Sequence, residues 1–200
     1  MGQSKEIVLK LIGSLLFIIG VFGYYLAIIN QDYDLFWWFC YSALIIVGIS
    51  IFVKNSSLII SQLNILIIPS LIWAIDFFSA LLLGIPPFGR TAYFFEETRW
   101  FVRLVSLQHL FTIPLVLYSL YLIKIKKLFI PVIISLFHIT LFYFISISLT
   151  NPEKNINCVF RSCIPYFNFG QFYPIAWFIA YIFIILVTYF SVTRLKFLRK

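Results

Sequence analysis

Leu58-Ile-Ile-Ser-Gln62-Leu-Asn64-Ile-Leu-Ile-Ile-Pro69-Ser-Leu-Ile-Trp73-Ala-Ile-Asp76-Phe-Phe-Ser-Ala-Leu-Leu-Leu83 is the stretch on which the fold turns. It holds one ionisable side chain, Asp76, in 26 residues. As a helix rising about 1.5 Å per residue it outruns a hydrocarbon core of about 30 Å, so it can tilt or kink and still cross. Gln62, Asn64, Pro69 and Asp76 interrupt its apolar background, and it is still too apolar to be a surface helix of a soluble domain.

The flanking sequence has the same character. Apolar runs at 11–29, 35–53, 58–83, 101–123, 128–149 and 174–192 are separated by short polar turns, which predicts six spans in a single membrane domain covering residues 1–200. Over the whole chain 62% of residues are hydrophobic and 11% charged. A typical soluble domain is about half apolar and about a quarter charged, so a globule of this composition could not cover its own core. A β-barrel would need short alternating segments that are missing here, so the fold class is all-α, a polytopic transmembrane helical bundle. The first run is too long for the apolar core of a signal peptide, and Ile28-Ile29-Asn30 has no small-residue cleavage site, so it reads as a retained helix.

The net charge of +8 sits in clusters between spans and forms no continuous stripe with interleaved aromatics. This points to lipid headgroups as partners and away from nucleic acid. Six spans put both termini on one side, with Lys5, Lys10, Lys54, Lys124, Lys126, Lys127, Arg194, Lys196, Arg199 and Lys200. The other side holds Arg90, Arg99, Lys154 and Arg161. By the positive-inside rule the termini are cytoplasmic, and the two longer loops, 84–100 and 150–173, lie outside. Trp37, Trp38, Trp100 and Trp177 then fall at the outer interface as an aromatic belt. Cys158 and Cys163 fall in an oxidising space, separated by few enough residues to close a small disulfide loop.

Inside a span an ionisable side chain costs about 2.5–3.5 kcal/mol, so Asp76, Arg103, His109 and His138 need reasons to be there. Counting from the outer ends of their helices, Asp76 and His109 both lie about 10–12 Å deep on antiparallel neighbours. They are expected to face one another, with Arg103 on the same helix face as Ser106 and His109. An aspartate behind a histidine is the arrangement of a general acid or base, and a substrate would enter from the outer leaflet. His138 lies a little deeper, with Ser135 one turn away, and Asn155 and Asn157 stand in the loop above as turn formers or contacts to a substrate. No HxxxH or HExxH spacing is present, and neither a metal nor another cofactor is expected.

Ser70-Leu-Ile-Trp73-Ala-Ile-Asp76, Thr91-Ala-Tyr93-Phe94-Phe95, Arg103-Leu-Val-Ser106-Leu-Gln-His109 and Asn155-Ile-Asn157-Cys158-Val-Phe160 together resemble an uncharacterised family of bacterial polytopic membrane proteins. Its motifs are a W-x-x-D helix, a TxYMF-like loop, an R-x-x-S-x-x-H helix and an NINWVFG-like loop. The resemblance covers about residues 70–160. It departs from the pattern at Cys158, where tryptophan is expected, and after Phe160, where no glycine follows. It implies a bacterial inner membrane, draws attention to Asp76, Arg103, His109, Asn155 and Asn157, and brings no reaction. Three functions are therefore weighed: an outer-leaflet enzyme on a lipid or lipid-linked substrate, a non-catalytic scaffold or assembly protein, and a small-molecule carrier. The carrier lacks the repeated halves that such folds show.

Overall fold

The computed structural model describes residues 2–97, 99–125, 129–165, 167 and 169–199. Lys126, Lys127 and Lys200, expected at the inner face, and Leu128, expected to open the fifth span, lie outside the described residues. The helices are α1 (Gln3–Ile29), α2 (Phe39–Phe52), α3 (Ser56–Leu83), α4 (Ala92–Glu96), α5 (Trp100–Ser106), α6 (Gln108–Ile123), α7 (Ile130–Leu149) and α8 (Tyr173–Arg194), with short 3-10 turns between some of them. Among the described residues no strand forms, only an isolated bridge between Ile125 and Arg199. Five helical segments are long and apolar enough to cross a membrane, and α2 is a shorter apolar sixth. The protein is an all-α transmembrane bundle.

Three boundaries differ from expectation, each for a local reason. α1 begins at Gln3 instead of Leu11, because Glu6 bridges to Lys10 at 3.6 Å and to Lys54 at 3.8 Å, so the charged turn continues the helix. The second span was expected from Leu35, but Tyr33–Trp37 forms a 3-10 turn and the α-helix starts at Phe39. At 14 residues α2 is about 21 Å long, short of a full hydrocarbon core. The fourth span is broken at Leu107 into α5 and α6. There the Leu110 N–H bonds the Leu107 carbonyl, while the His109 ring takes the Ser106 carbonyl that a continuing helix would have used.

α1 and α2 pack as an antiparallel pair at unusually short range. A Cβ added at Gly48 would lie 2.8 Å from the Gly13 carbonyl oxygen and from the Phe17 Cβ, and one at Gly20 would lie 2.9 Å from the Tyr41 carbonyl oxygen. In lipid, apolar side chains gain nothing by leaving acyl chains for each other, so backbones brought close by small residues supply the contact. α3 is the central helix and packs against α2, α6, α7 and α8. Its N-terminus is capped by the Asn55 side chain, which accepts from Ser57 N and Leu58 N, and Gly84 ends it in the left-handed conformation.

The connecting segments gather at two ends. The first holds Glu6 with Lys54 and Lys124, whose ammonium donates to the Phe197 carbonyl, above a continuous apolar core that includes Leu9, Ile51, Leu120 and Leu198. The second, distal end joins Lys154 to Asp32 at 2.6 Å and to Asp34 at 3.0 Å, and Arg99 to Asn30 at 2.8 Å. The Asp32 and Asp34 carboxylates hold the Lys154 ammonium above the ordinary lysine value by accepting its hydrogen bonds. Both chain ends share the first end, as an even number of crossings requires. The tryptophan belt is only partly realised: Trp100 is exposed, but Trp177 is buried and donates to the Asn157 carbonyl at 2.9 Å.

Candidate functional site

The distal half of the bundle is not closed. A cavity of about 350 Å³ lies between α3 and α8, beneath the loops before α4 and after α7. Leu66, Pro69 and Trp73 form one wall and Trp177, Ala180 and Ile184 the other. By residue count along α3 and α8 the lining reaches about 15–25 Å below the helix ends, close to the middle of a bilayer. Its surface is mostly apolar and aromatic, with polar groups contributed by Arg90, Ser70, His109 and Tyr181.

The two loops over the cavity are held by buried side chains singled out in the sequence. Asp76 is fully buried. Its Oδ1 accepts from Phe88 N at 2.7 Å, and its Oδ2 accepts from Thr91 N at 2.7 Å and from the Thr91 hydroxyl at 3.0 Å. Gly89, at φ 65°, supplies the left-handed turn between these donors, a conformation that costs glycine little. Arg90 is therefore carried on a turn clamped on either side by one carboxylate.

The expected Asp76–His109 pair does not form, and this corrects the sequence reading. The acidic oxygens are occupied by the turn, and His109 is engaged elsewhere. Its Nδ1 lies 2.9 Å from the Ser106 carbonyl oxygen, which can only accept, so that nitrogen donates. Gln108 Nε2 lies 3.0 Å from each ring nitrogen and can donate to Nε2, the one left with a lone pair, and Thr112 donates to Gln108 Oε1 at 3.0 Å. The ring stacks on Trp73 with centroids 5.1 Å apart. Trp73 stands one turn before Asp76 on α3, so His109 packs about one turn away from the carboxylate, whose donors come from a loop and not from a helix.

Asn155 and Asn157 organise the second loop. Asn155 Oδ1 accepts from Phe160 N and Arg161 N, and its amide donates to the Arg161 carbonyl. Asn157 Oδ1 accepts from Phe39 N at 3.1 Å, while its amide donates to the Trp37 carbonyl at 2.6 Å and to Ser146 Oγ at 3.0 Å. It thus caps α2 from 118 residues away and ties that helix to α7. Both asparagines and Cys158 have positive φ, which asparagine tolerates better than other non-glycine residues. Cys158 and Cys163 are joined as a disulfide, S–S 2.08 Å, and both line the cavity.

The other candidates stand apart from the cavity. Arg103 donates to the Phe95 carbonyl at 3.2 Å, joining α5 to the end of α4. His138 Nε2 pairs with Ser42 Oγ at 3.1 Å, and its ring packs on Phe142 at 4.7 Å. Of the expected site residues, His109, Asn157, Cys158 and Cys163 border the cavity; Asp76, Arg103, His138 and Asn155 do not. Arg90 was passed over because it counted only among the charges of the loop after the third span. The available signal was a lone arginine set between two residues one turn apart in a tight loop. Among the described residues no three His, Cys, Asp or Glu side chains are grouped as metal ligands.

The chain matches no protein-family model, no curated protein and no solved structure. Function has to be read from this geometry.

Proposed function

We propose that this protein binds the apolar part of a lipid or lipid-linked molecule in the cavity between α3 and α8, from the outer leaflet of a bacterial inner membrane. One observation carries the reading: an apolar, aromatic-lined space of about 350 Å³ in the half of the bundle opposite the termini. Spaces of this size with a few polar groups are characteristic of small-ligand sites. The half-buried Ile68, Ile72 and Ile184 and the exposed Ala180 border it on the flank, where acyl chains would meet the helices. The orientation rests on the excess of lysine and arginine at the end holding both termini.

Binding accounts for the site better than the catalytic Asp/His pair expected from the sequence. Both nitrogens of His109 are engaged within the protein, and Asp76 serves the Arg90 turn, so neither is poised to move a proton. The non-catalytic scaffold is the second reading, favoured by Asp76, Asn157, Arg103 and His138 all serving to join parts of the fold.

Filling the cavity separates the two. Ala180→Trp is expected to abolish retention of dioleoylglycerol in native mass spectrometry of the full chain from neutral detergent. Retention equal to wild type, or none by either protein, would leave the scaffold. For orientation, an impermeant thiol reagent on intact cells should label Glu153→Cys and miss Lys54→Cys in a Cys40→Ser background. Alkylation of Cys158 and Cys163 should require prior reduction.

A further inference from the structure

The polar groups facing this cavity share a feature that an apolar ligand alone does not use. The Ser70 and Tyr181 hydroxyls line it and make no hydrogen bond with any described residue. The half-buried Arg90 guanidinium has, among the described residues, one hydrogen-bond partner, the Cys158 sulfur at 3.1 Å from Nη1. A disulfide sulfur is a weak acceptor, so most of the five guanidinium N–H groups have no acceptor among the described residues.

Among the described residues no carboxylate forms an ion pair with that guanidinium. Of the seven acidic side chains, Glu6 pairs with Lys10 and Lys54, Asp32 and Asp34 with Lys154, and Glu97 with Arg99. Both oxygens of Asp76 are held by Phe88 and Thr91, and Glu96 and Glu153 form no ion pair with Arg90. A cation kept at the mouth of a largely apolar space is costly unless an anion meets it there. The clamp on Phe88 and Thr91 fixes the backbone on both sides of Arg90 and so places the base of its side chain at the cavity.

We propose that Arg90 receives a phosphate ester, the head of an amphiphile whose first chain carbons enter the cavity between Trp73 and Trp177. The fork of an arginine matches two phosphate oxygens in parallel, which an ammonium does not. The apolar lining extends from Arg90 toward the middle of the bundle, so one molecule meets both. The assignment rests on the lipid-binding reading above and adds the headgroup chemistry to it. Asp76 acts as a positioning residue, through the turn that carries Arg90.

The test compares two ligands with identical chains, dioleoyl phosphatidic acid and dioleoylglycerol, on the full-length protein in neutral detergent by native mass spectrometry. Wild type is expected to hold the phosphatidic acid roughly tenfold more tightly or better. Arg90→Gln should bring that affinity down to the dioleoylglycerol level, so that this variant holds the two ligands equally. Arg90→Lys, which keeps the charge and loses the fork, should retain part of the preference, and it serves as the test if Arg90→Gln does not accumulate. Equal affinities in wild type, or a full preference in either variant, would overturn the assignment while lipid binding itself stood. Absence of binding by both ligands would overturn the lipid reading instead. Millimolar inorganic phosphate should fail to displace the phosphatidic acid; displacement would make the free ion the occupant and overturn the lipid head.

Discussion

The half of the bundle beside the termini and the distal half are built from the same apolar helices but held together differently. Beside the termini, Leu9, Leu16, Leu44, Val47 and Ile51 are almost completely buried, and Gly13 and Gly48 let α1 and α2 touch backbone to backbone. The distal half keeps an internal space, and its order comes from Asp76, Asn155 and Asn157 bonding the loops around it. In lipid the first solution relies on close van der Waals contact between small residues. The second is needed wherever irregular backbone enters the apolar layer, since each N–H and carbonyl there requires a partner. A binding space is compatible with the second arrangement and not with the first.

The strongest way to break the distal half is to remove its carboxylate. Asp76→Ala leaves two backbone N–H groups and a hydroxyl without their acceptor, and a loss of about 3 kcal/mol is expected. Thermal unfolding in detergent should show it, together with loss of any preference for phosphatidic acid. Asp76→Asn keeps one acceptor oxygen and should fall between Ala and wild type. A melting temperature unchanged in Asp76→Ala would mean that the turn is ordered without it.

The complementary change strikes the other half. Gly48→Ala places a methyl group 2.8 Å from the Gly13 carbonyl oxygen, and overpacking of this kind costs about 1–3 kcal/mol. Gly13→Ala, whose added carbon would lie 3.1 Å from the Gly48 carbonyl oxygen, should cost less. Neither should alter lipid retention if the halves are independent. Parallel loss of stability and retention in Gly48→Ala would show that the cavity depends on α1–α2 packing.

The smallest effect belongs to the exposed link between loops. The raised Lys154 pKa makes the bridge to Asp32 and Asp34 complete below pH 10.5, the lysine's unfolded value, and lost as pH rises through the folded value. Lys154→Gln should leave the melting temperature unchanged at neutral pH, since exposed ion pairs contribute little. A clear drop at neutral pH, absent in alkaline buffer, would mean that this bridge helps hold the distal loops.

Much of this was legible from residue order because the solvent imposes it. Long apolar runs must become helices in lipid, and the ends of α3, α7 and α8 fall within a few residues of where the runs begin and end among the described residues. Asp76 and Asn157 were visible for the same reason, as polar groups in or beside spans that need partners. Their partners were not visible. Depth along a helix places Asp76 level with His109, but a loop that folds back can reach the same depth, and Phe88 and Thr91 did. The start of α2 was equally hidden, because its N-terminal cap is a side chain in the loop after α7.

Composition and hydropathy alone therefore determined the class of the protein, the number of apolar segments and the few side chains that had to be explained, since burial of charge in lipid is costly whatever surrounds it. Only the tertiary structure decided which of those side chains are structural, that the loops before α4 and after α7 meet over a space between α3 and α8, and that Arg90 stands there with no carboxylate paired to it among the described residues. Hydrogen bonds are short and directional, so partners 15 or 118 residues apart are chosen by how the loops fold back and not by their spacing along the chain.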